Sequence, residues 1–240
     1  MQDATSDGNA RRLTRREAAF DVVAVIVLVP TAAIGSGVLL GFLFASPPRL
    51  ADVVLVQALL VLVGVYALLE RRGSRFAEIG LVSPRANDPG RALLVLLAAF
   101  GVNAALTVAI FAWSPATLEE HLQGLESVAL GLTEGVPLAA TIALLLLVGF
   151  YEEILARGLL LTRLRQILGG YWPPAIVSAL LFALGHFYQG LYGMVQTALL
   201  GLVLAAFTLR WGTLWPAILA HSAVNILSVV QLREIGIPDL

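Results

Sequence analysis

Apolar residues run along this chain in long blocks, and most polar residues fall between them. Seven blocks stand out: 21–45, 51–69, 92–113, 137–161, 173–189, 191–209 and 213–231. A helix needs about 20 apolar residues to cross the hydrocarbon layer of a bilayer. The pattern therefore predicts about seven membrane-spanning helices, of which 173–189 is the shortest. The first block follows Arg11, Arg12, Arg15 and Arg16, as a secretory signal would. Its apolar run is too long for a signal, and no small-residue cleavage site follows, so it is expected to remain as a span. The predicted organisation is a tail over 1–20 and one all-α, polytopic transmembrane bundle over 21–240. No linker divides the chain and no internal repeat is visible.

Composition agrees. Of 240 residues 59% are hydrophobic and 13% charged, with a mean hydropathy of +0.89. Soluble domains carry about 25% charge, and a globule of this length would need polar groups to coat its surface. Membrane lipids are thus the expected surroundings, and a net charge of −1 points to no nucleic acid partner. The chain has no Cys, which excludes disulfides, thiolate nucleophiles and Cys-ligated metals. All 15 basic residues are Arg. Cytoplasmic loops carry the excess of positive charge. With seven spans and a cytoplasmic N-terminus, twelve Arg fall inside (the four of the tail, Arg71, Arg72, Arg75, Arg85, Arg91, Arg163, Arg165 and Arg210). Only Arg49 and Arg233 fall outside, and Arg157 lies within a span. The expected placement is a multi-pass protein of the cell inner (plasma) membrane, N-terminus cytoplasmic and C-terminus outside.

Several polar or small residues read as structural. Trp113, Trp172, Trp211 and Trp215 stand at block ends, where amphipathic rings prefer the headgroup level. Gly37 and Gly41 form a small-xxx-small packing pair, and Gln57, Asn103 and Gln196 are expected to be hydrogen-bonding glue between helices. Residues 76–81 (FAEIGL) form a candidate interfacial segment within the 70–91 loop. His121, in Glu119-Glu120-His121, is expected to be solvated in an outside loop.

The remaining polar residues inside the blocks call for a different reading, since a charge at the bilayer centre costs about 2.5–3.5 kcal/mol on insertion scales. The fourth block holds Glu152, Glu153 and Arg157, the fifth His186, and the seventh His221 and Asn225. Glu153 and Arg157 are i,i+4 and should pair on one helix face. Glu152 is turned about 100° away and should stay available, the alternative being the swapped arrangement in which Glu152 reaches Arg157. Phe182 shares a face with His186, and His221 with Asn225. At about 1.5 Å per residue, Glu152, His186, His221 and Asn225 lie roughly 12–20 Å from the cytoplasmic ends of their spans. Three helices therefore offer Glu, His and His/Asn in one layer. A carboxylate partly removed from water suits a general base, His can share its water, and Asn and a second His can donate to an oxyanion. That set can hydrolyse a peptide bond without a covalent enzyme intermediate. Zn²⁺ is an alternative, held by Glu152, His186 and His221 as a His₂Glu site. No H-E-x-x-H motif is present, the sequence requires no cofactor, and both versions fit the residues.

Three motifs, in order, carry a family resemblance. Glu152-Glu153-Ile154-Leu155-Ala156-Arg157, followed by Gly158, fits E-E-x-x-x-R. Phe182 to His186 fits F-x-x-x-H, and His221 to Asn225 fits H-x-x-x-N. Over about 137–231 the chain resembles the CAAX-protease and bacteriocin-processing (Abi) family of intramembrane endopeptidases, which includes the type II CAAX prenyl endopeptidases. The resemblance implies that Glu152 and His186 activate water and that His221 and Asn225 stabilise the oxyanion. Glu153, Arg157 and Phe182 would support them, in a cavity open to the cytoplasmic side. It also carries the family's glutamate-or-metal question. Relatives with eight spans would have one more than the seven counted here. Ala156 departs from the aromatic residue that commonly precedes the Arg, which bears on substrate preference. The expected activity is cleavage of a membrane-associated peptide or protein, CAAX-like or bacteriocin-type. The sequence is silent on the substrate and the oligomeric state. The competing functions are a non-catalytic scaffold or immunity factor that kept the fold, and a proton-coupled transporter relaying protons through the same Glu, His and Arg.

Overall fold

The computed structural model describes residues 13–44 and 47–234. Arg11 and Arg12 of the expected tail, and the C-terminal residues 235–240, lie outside the described residues. All regular elements among them are helical. Six segments are long and apolar enough to cross a membrane: Arg15–Leu43, Leu50–Arg72, Asp88–Trp113, Leu138–Leu168, Phe187–Trp211 and Trp215–Arg233. They match six of the seven apolar blocks. The chain is a polytopic helical bundle.

The first helix, α1 (Arg15–Leu43), starts six residues before its apolar block. Thr14 and Glu17 form a capping box, each side chain accepting from the other's backbone N–H, at 3.2 and 2.8 Å. Arg15 and Arg16 are therefore helical and not part of a tail. Helix α2 (Leu50–Arg72) returns beside α1. Here two of the Arg counted as loop charges prove to be structural. Asp21 of α1 is fully buried. Arg72 of α2 donates to its Oδ1 at 2.9 and 2.8 Å, and Arg163 donates to its Oδ2 at 2.8 Å. A buried carboxylate needs its charge met, so these two Arg turn inward.

The segment after α2 is also packed against the bundle. Phe76–Ile79 forms a 3₁₀ turn with Ile79 buried. Leu214 N–H donates to the Gly80 carbonyl at 2.9 Å and Trp215 Nε1 to the Val82 carbonyl at 2.7 Å. Apolar side chains of this loop thereby reach the main core beside Leu159 and Leu214.

Helix α3 (Asp88–Trp113) is followed directly by α4 (Pro115–Thr133), where the sequence reading expected a loop. Three Glu and a His hide this helix from a hydropathy count. Both its ends lie at the same end of the bundle. It begins beside the end of α3, and a Cβ on Gly131 would stand 3.0 Å from Leu50 at the start of α2. Helix α4 thus adds no crossing. His121 is not solvated. It is buried, its Nε2 is 2.9 Å from Gln196 Oε1, and its ring meets Tyr192 edge-on at 4.6 Å. Gln196 in turn donates to Asn103 Oδ1, so the two residues read as helix glue do join α3 to the helix carrying Tyr192 and Gln196. Burial pushes the His121 imidazole below its usual range, opposed in part by the Gln196 bond.

Helix α5 (Leu138–Glu153) runs without interruption through a π-helical stretch, Ile154–Leu160, into α6 (Leu161–Leu168). The helix therefore extends past the expected end at 161 and carries Arg163 and Arg165 on it. The block at 173–189 is the clearest departure. Its helix α7 (Trp172–Leu184) has only 13 residues, about 20 Å, and stops at Gly185. A 3₁₀ turn, Phe187–Gln189, then leads into α8 (Gly190–Trp211), which packs back along α7. Gly190 has φ +73° and ψ 179°, a conformation essentially restricted to glycine. Non-helical backbone at such a position is tolerated only when buried in protein or lining a cavity.

Helix α9 (Trp215–Glu234) closes the bundle against α3 and α5. Its approach to α5 is close: a Cβ on Gly149 would stand 2.9 Å from the Ser222 backbone nitrogen and 2.2 Å from its Oγ. Only glycine permits that contact. It sets the distance between the helices that carry the two Glu and His221.

Candidate active site

The residues of the three motifs come from α5 with its π-helical continuation, the turn after α7, and α9. π-Helical stretches occur often at functional sites, and this one, buried throughout, contains Arg157. Its guanidinium Nη1 donates to Glu153 Oε1 at 2.7 Å, and both side chains are buried, at 1% and 0% exposure. Glu152, one residue earlier, keeps 14% of its side chain exposed. The two adjacent carboxylates are thus divided as their helical spacing predicts.

His221 joins them across the α5–α9 contact. Its Nδ1 lies 2.8 Å from Glu153 Oε1, and its Nε2 lies 3.7 Å from Glu152 Oε2. Glu153 Oε1 already accepts from Arg157, and as a carboxylate it accepts again here while His221 Nδ1 donates. Nε2 is then the nitrogen turned toward Glu152. A comparable constraint acts on His186, which stands just beyond the end of α7 rather than within a continuous helix. Its Nδ1 is 2.9 Å from the Phe182 carbonyl. A carbonyl only accepts, so Nδ1 carries the proton and neutral His186 keeps the Nε2 lone pair free.

Phe182 is the apolar hub. Its ring is 4.7 Å from the His186 ring and 6.0 Å, edge-on, from that of His221. The Arg157 guanidinium sits over its face at 4.2 Å. This cation–π contact offsets the lack of hydrogen-bond partners at Arg157 Nε and Nη2 among the described residues. Asn225 lies one turn beyond His221 on α9 and is partly exposed. It makes no hydrogen bond with the described residues. Ser222 is buried, its Oγ has no hydrogen-bond partner among the described residues, and it faces Gly149.

The fit of a metal ion depends on the donors. Among the described residues no three His, Asp or Glu side chains gather closely enough to hold one. Nδ1 of His186 and Nδ1 of His221 are engaged by the Phe182 carbonyl and by Glu153, which leaves their Nε2 atoms as the nitrogens a metal would use.

Two aromatic residues beside the site were not singled out from the sequence. Tyr151, buried, donates through its hydroxyl to Glu152 Oε1 at 3.1 Å. Tyr188, exposed, has its ring 5.9 Å from that of His186, and its hydroxyl accepts from Gln189 Nε2 at 3.2 Å. Their nearness to motif residues in sequence was the available signal, but an aromatic residue in an apolar helix ordinarily reads as packing.

No curated protein and no solved structure matches the chain. Residues 134–227 match the family described as Type II CAAX prenyl endopeptidase Rce1-like. That stretch runs from the turn before α5 to Leu227 in α9 and contains all three motifs with the geometry just described. Over this stretch, less than half of its length, the chain is similar to the CAAX-protease family.

Proposed function

We propose that this protein is an intramembrane endopeptidase that hydrolyses a peptide bond of a membrane-associated peptide or protein with water activated by Glu152. The single observation that carries the reading is the division of the two carboxylates. Glu153 is neutralised by Arg157 and used to hold His221, while Glu152 stays partly exposed, 3.7 Å from His221 Nε2. A purely structural pair of Glu residues has no need for one of them to be left unpaired by Arg157 and partly exposed beside an oriented imidazole.

In the proposed reaction Glu152 Oε2 takes a proton from water, with the Nε2 lone pair of His186 accepting the water's other hydrogen bond. The water oxygen attacks the carbonyl carbon, and the carbonyl oxygen becomes an oxyanion. His221 Nε2–H, when the imidazole carries its second proton, and the Asn225 amide donate to that oxyanion. Glu152 then returns its proton to the leaving amine nitrogen as the C–N bond breaks. Such positioned acid–base groups contribute about 10²–10⁴-fold, and oxyanion donors about 10²–10³-fold each. The family description favours a substrate resembling a CAAX-type protein C-terminus. The Arg distribution favours a plasma-membrane protein with a cytoplasmic N-terminus and a C-terminus outside.

The test is cleavage of a panel of lipidated and plain peptides by protein in liposomes, comparing wild type with Glu152→Gln, with and without chelator. Loss of cleavage in the variant, with no effect of chelator, is the expected result. Equal cleavage by both proteins would remove Glu152 as the base. Loss with chelator and rescue by Zn²⁺ would replace the mechanism with a metal-assisted one.

A further inference from the structure

We propose that Tyr151 is a positioning residue for the reaction: its hydroxyl holds Glu152 Oε1, so that Oε2 alone is presented to water. The inference rests on Glu152 being the base and adds a residue that lies outside all three motifs.

The geometry is specific. Tyr151 is buried and belongs to the main apolar core, as do Ile154 and Leu155. A buried aromatic ring has only two side-chain torsions and is an inexpensive rigid anchor. From that anchor its hydroxyl reaches Glu152 Oε1 at 3.1 Å, while His221 Nε2 stands 3.7 Å from the other oxygen, Oε2. Each carboxylate oxygen therefore has its own neighbour. A Glu side chain in a helix otherwise rotates among several rotamers, and near-attack geometry is lost with small displacements of the base. The simpler account is that a buried phenol needs any acceptor. That account does not explain why the acceptor is the motif carboxylate that Arg157 does not pair, with its other oxygen on the His221 side.

Tyr151→Phe keeps the ring and removes only the donor, so the bundle is expected to assemble with an unchanged thermal melt. The first readout needs no substrate. Infrared spectra of wild type minus Glu152→Gln, in liposomes, isolate the carboxylate stretches of Glu152. In the Tyr151→Phe background the separation of the symmetric and antisymmetric bands should change, because one oxygen has lost its hydrogen bond. The second readout is cleavage of the liposome peptide panel. Loss of one hydrogen bond to an ionised group should lower kcat about 10- to 100-fold with KM unchanged. Unchanged infrared bands, or an unchanged kcat, would overturn the role of Tyr151. A rise in KM with kcat intact would overturn it as well, by making the phenol a substrate contact. Cleavage that survives Glu152→Gln would instead overturn the assignment of the base, so the two failures are distinguishable.

Discussion

Glu152 and Glu153 are the same side chain on successive residues, and only their surroundings make them different. Glu153 is sealed among Arg157 and His221, while Glu152 keeps access to the site. That division was legible in the i,i+4 spacing of Glu153 and Arg157. The bond from His221 to Glu153 was not, because it joins residues 68 positions apart through the α5–α9 contact. Breaking a buried pair on one side leaves an uncompensated charge, at a cost of about 3–5 kcal/mol. Glu153→Gln should therefore destabilise the protein by that order, measured by denaturant unfolding in mild detergent. Adding Arg157→Met should recover part of the loss, since the stranded charge is gone. A Glu153→Gln variant as stable as wild type would show that the guanidinium finds water there.

At the scale of elements, hydropathy located every helix that is apolar along its whole length and failed where function or burial overrides it. Helix α4 was missed because Glu119, Glu120, His121 and Glu126 lower its mean hydropathy, although His121 faces inward to Gln196. Helix α7 was drawn too long because the apolar run continues through Gly185 into the turn that carries His186. A run of apolar residues does not record where the backbone leaves the helix. Gly149 belongs to this scale too. It reads as an unremarkable glycine in an apolar helix, yet it allows α5 to touch the backbone of α9 at Ser222. Gly149→Val must push the helices apart, moving Glu152 and His221 away from each other. We expect at least a 100-fold loss of kcat, as follows a displacement of about 1 Å, with helicity by circular dichroism unchanged. Retained kcat would mean that the helices separate without disturbing the site.

At the scale of the molecule, the Arg pattern and the contacts of α4 bear on the same question. Helix α4 starts and ends at one end of the bundle, so it leaves the alternation of the later spans as the Arg count has it. The chain has no Cys, which makes single-Cys labelling direct. Arg75→Cys should react with an impermeant thiol reagent only from the cytoplasmic side, and Glu119→Cys only from the opposite side. Both positions are exposed. Labelling of the two from the same side would contradict the crossing by α3. The opposite assignment of sides would invert the orientation.

What the sequence by itself determined is what composition and short-range periodicity encode: a lipid-embedded helical bundle, six of its long spans, and the three motifs with the local pairing of Glu153 and Arg157. These depend on residues within a few turns of one another and on the free energy of placing side chains in hydrocarbon. Only the tertiary structure decided which distant residues meet. It placed His221 on Glu153, Arg72 and Arg163 on Asp21, the 76–82 segment on α9, and His121 on Gln196. Each of these contacts is a buried polar group satisfied by a partner from another helix. The need for a partner is visible in a sequence, but its identity depends on how the helices pack.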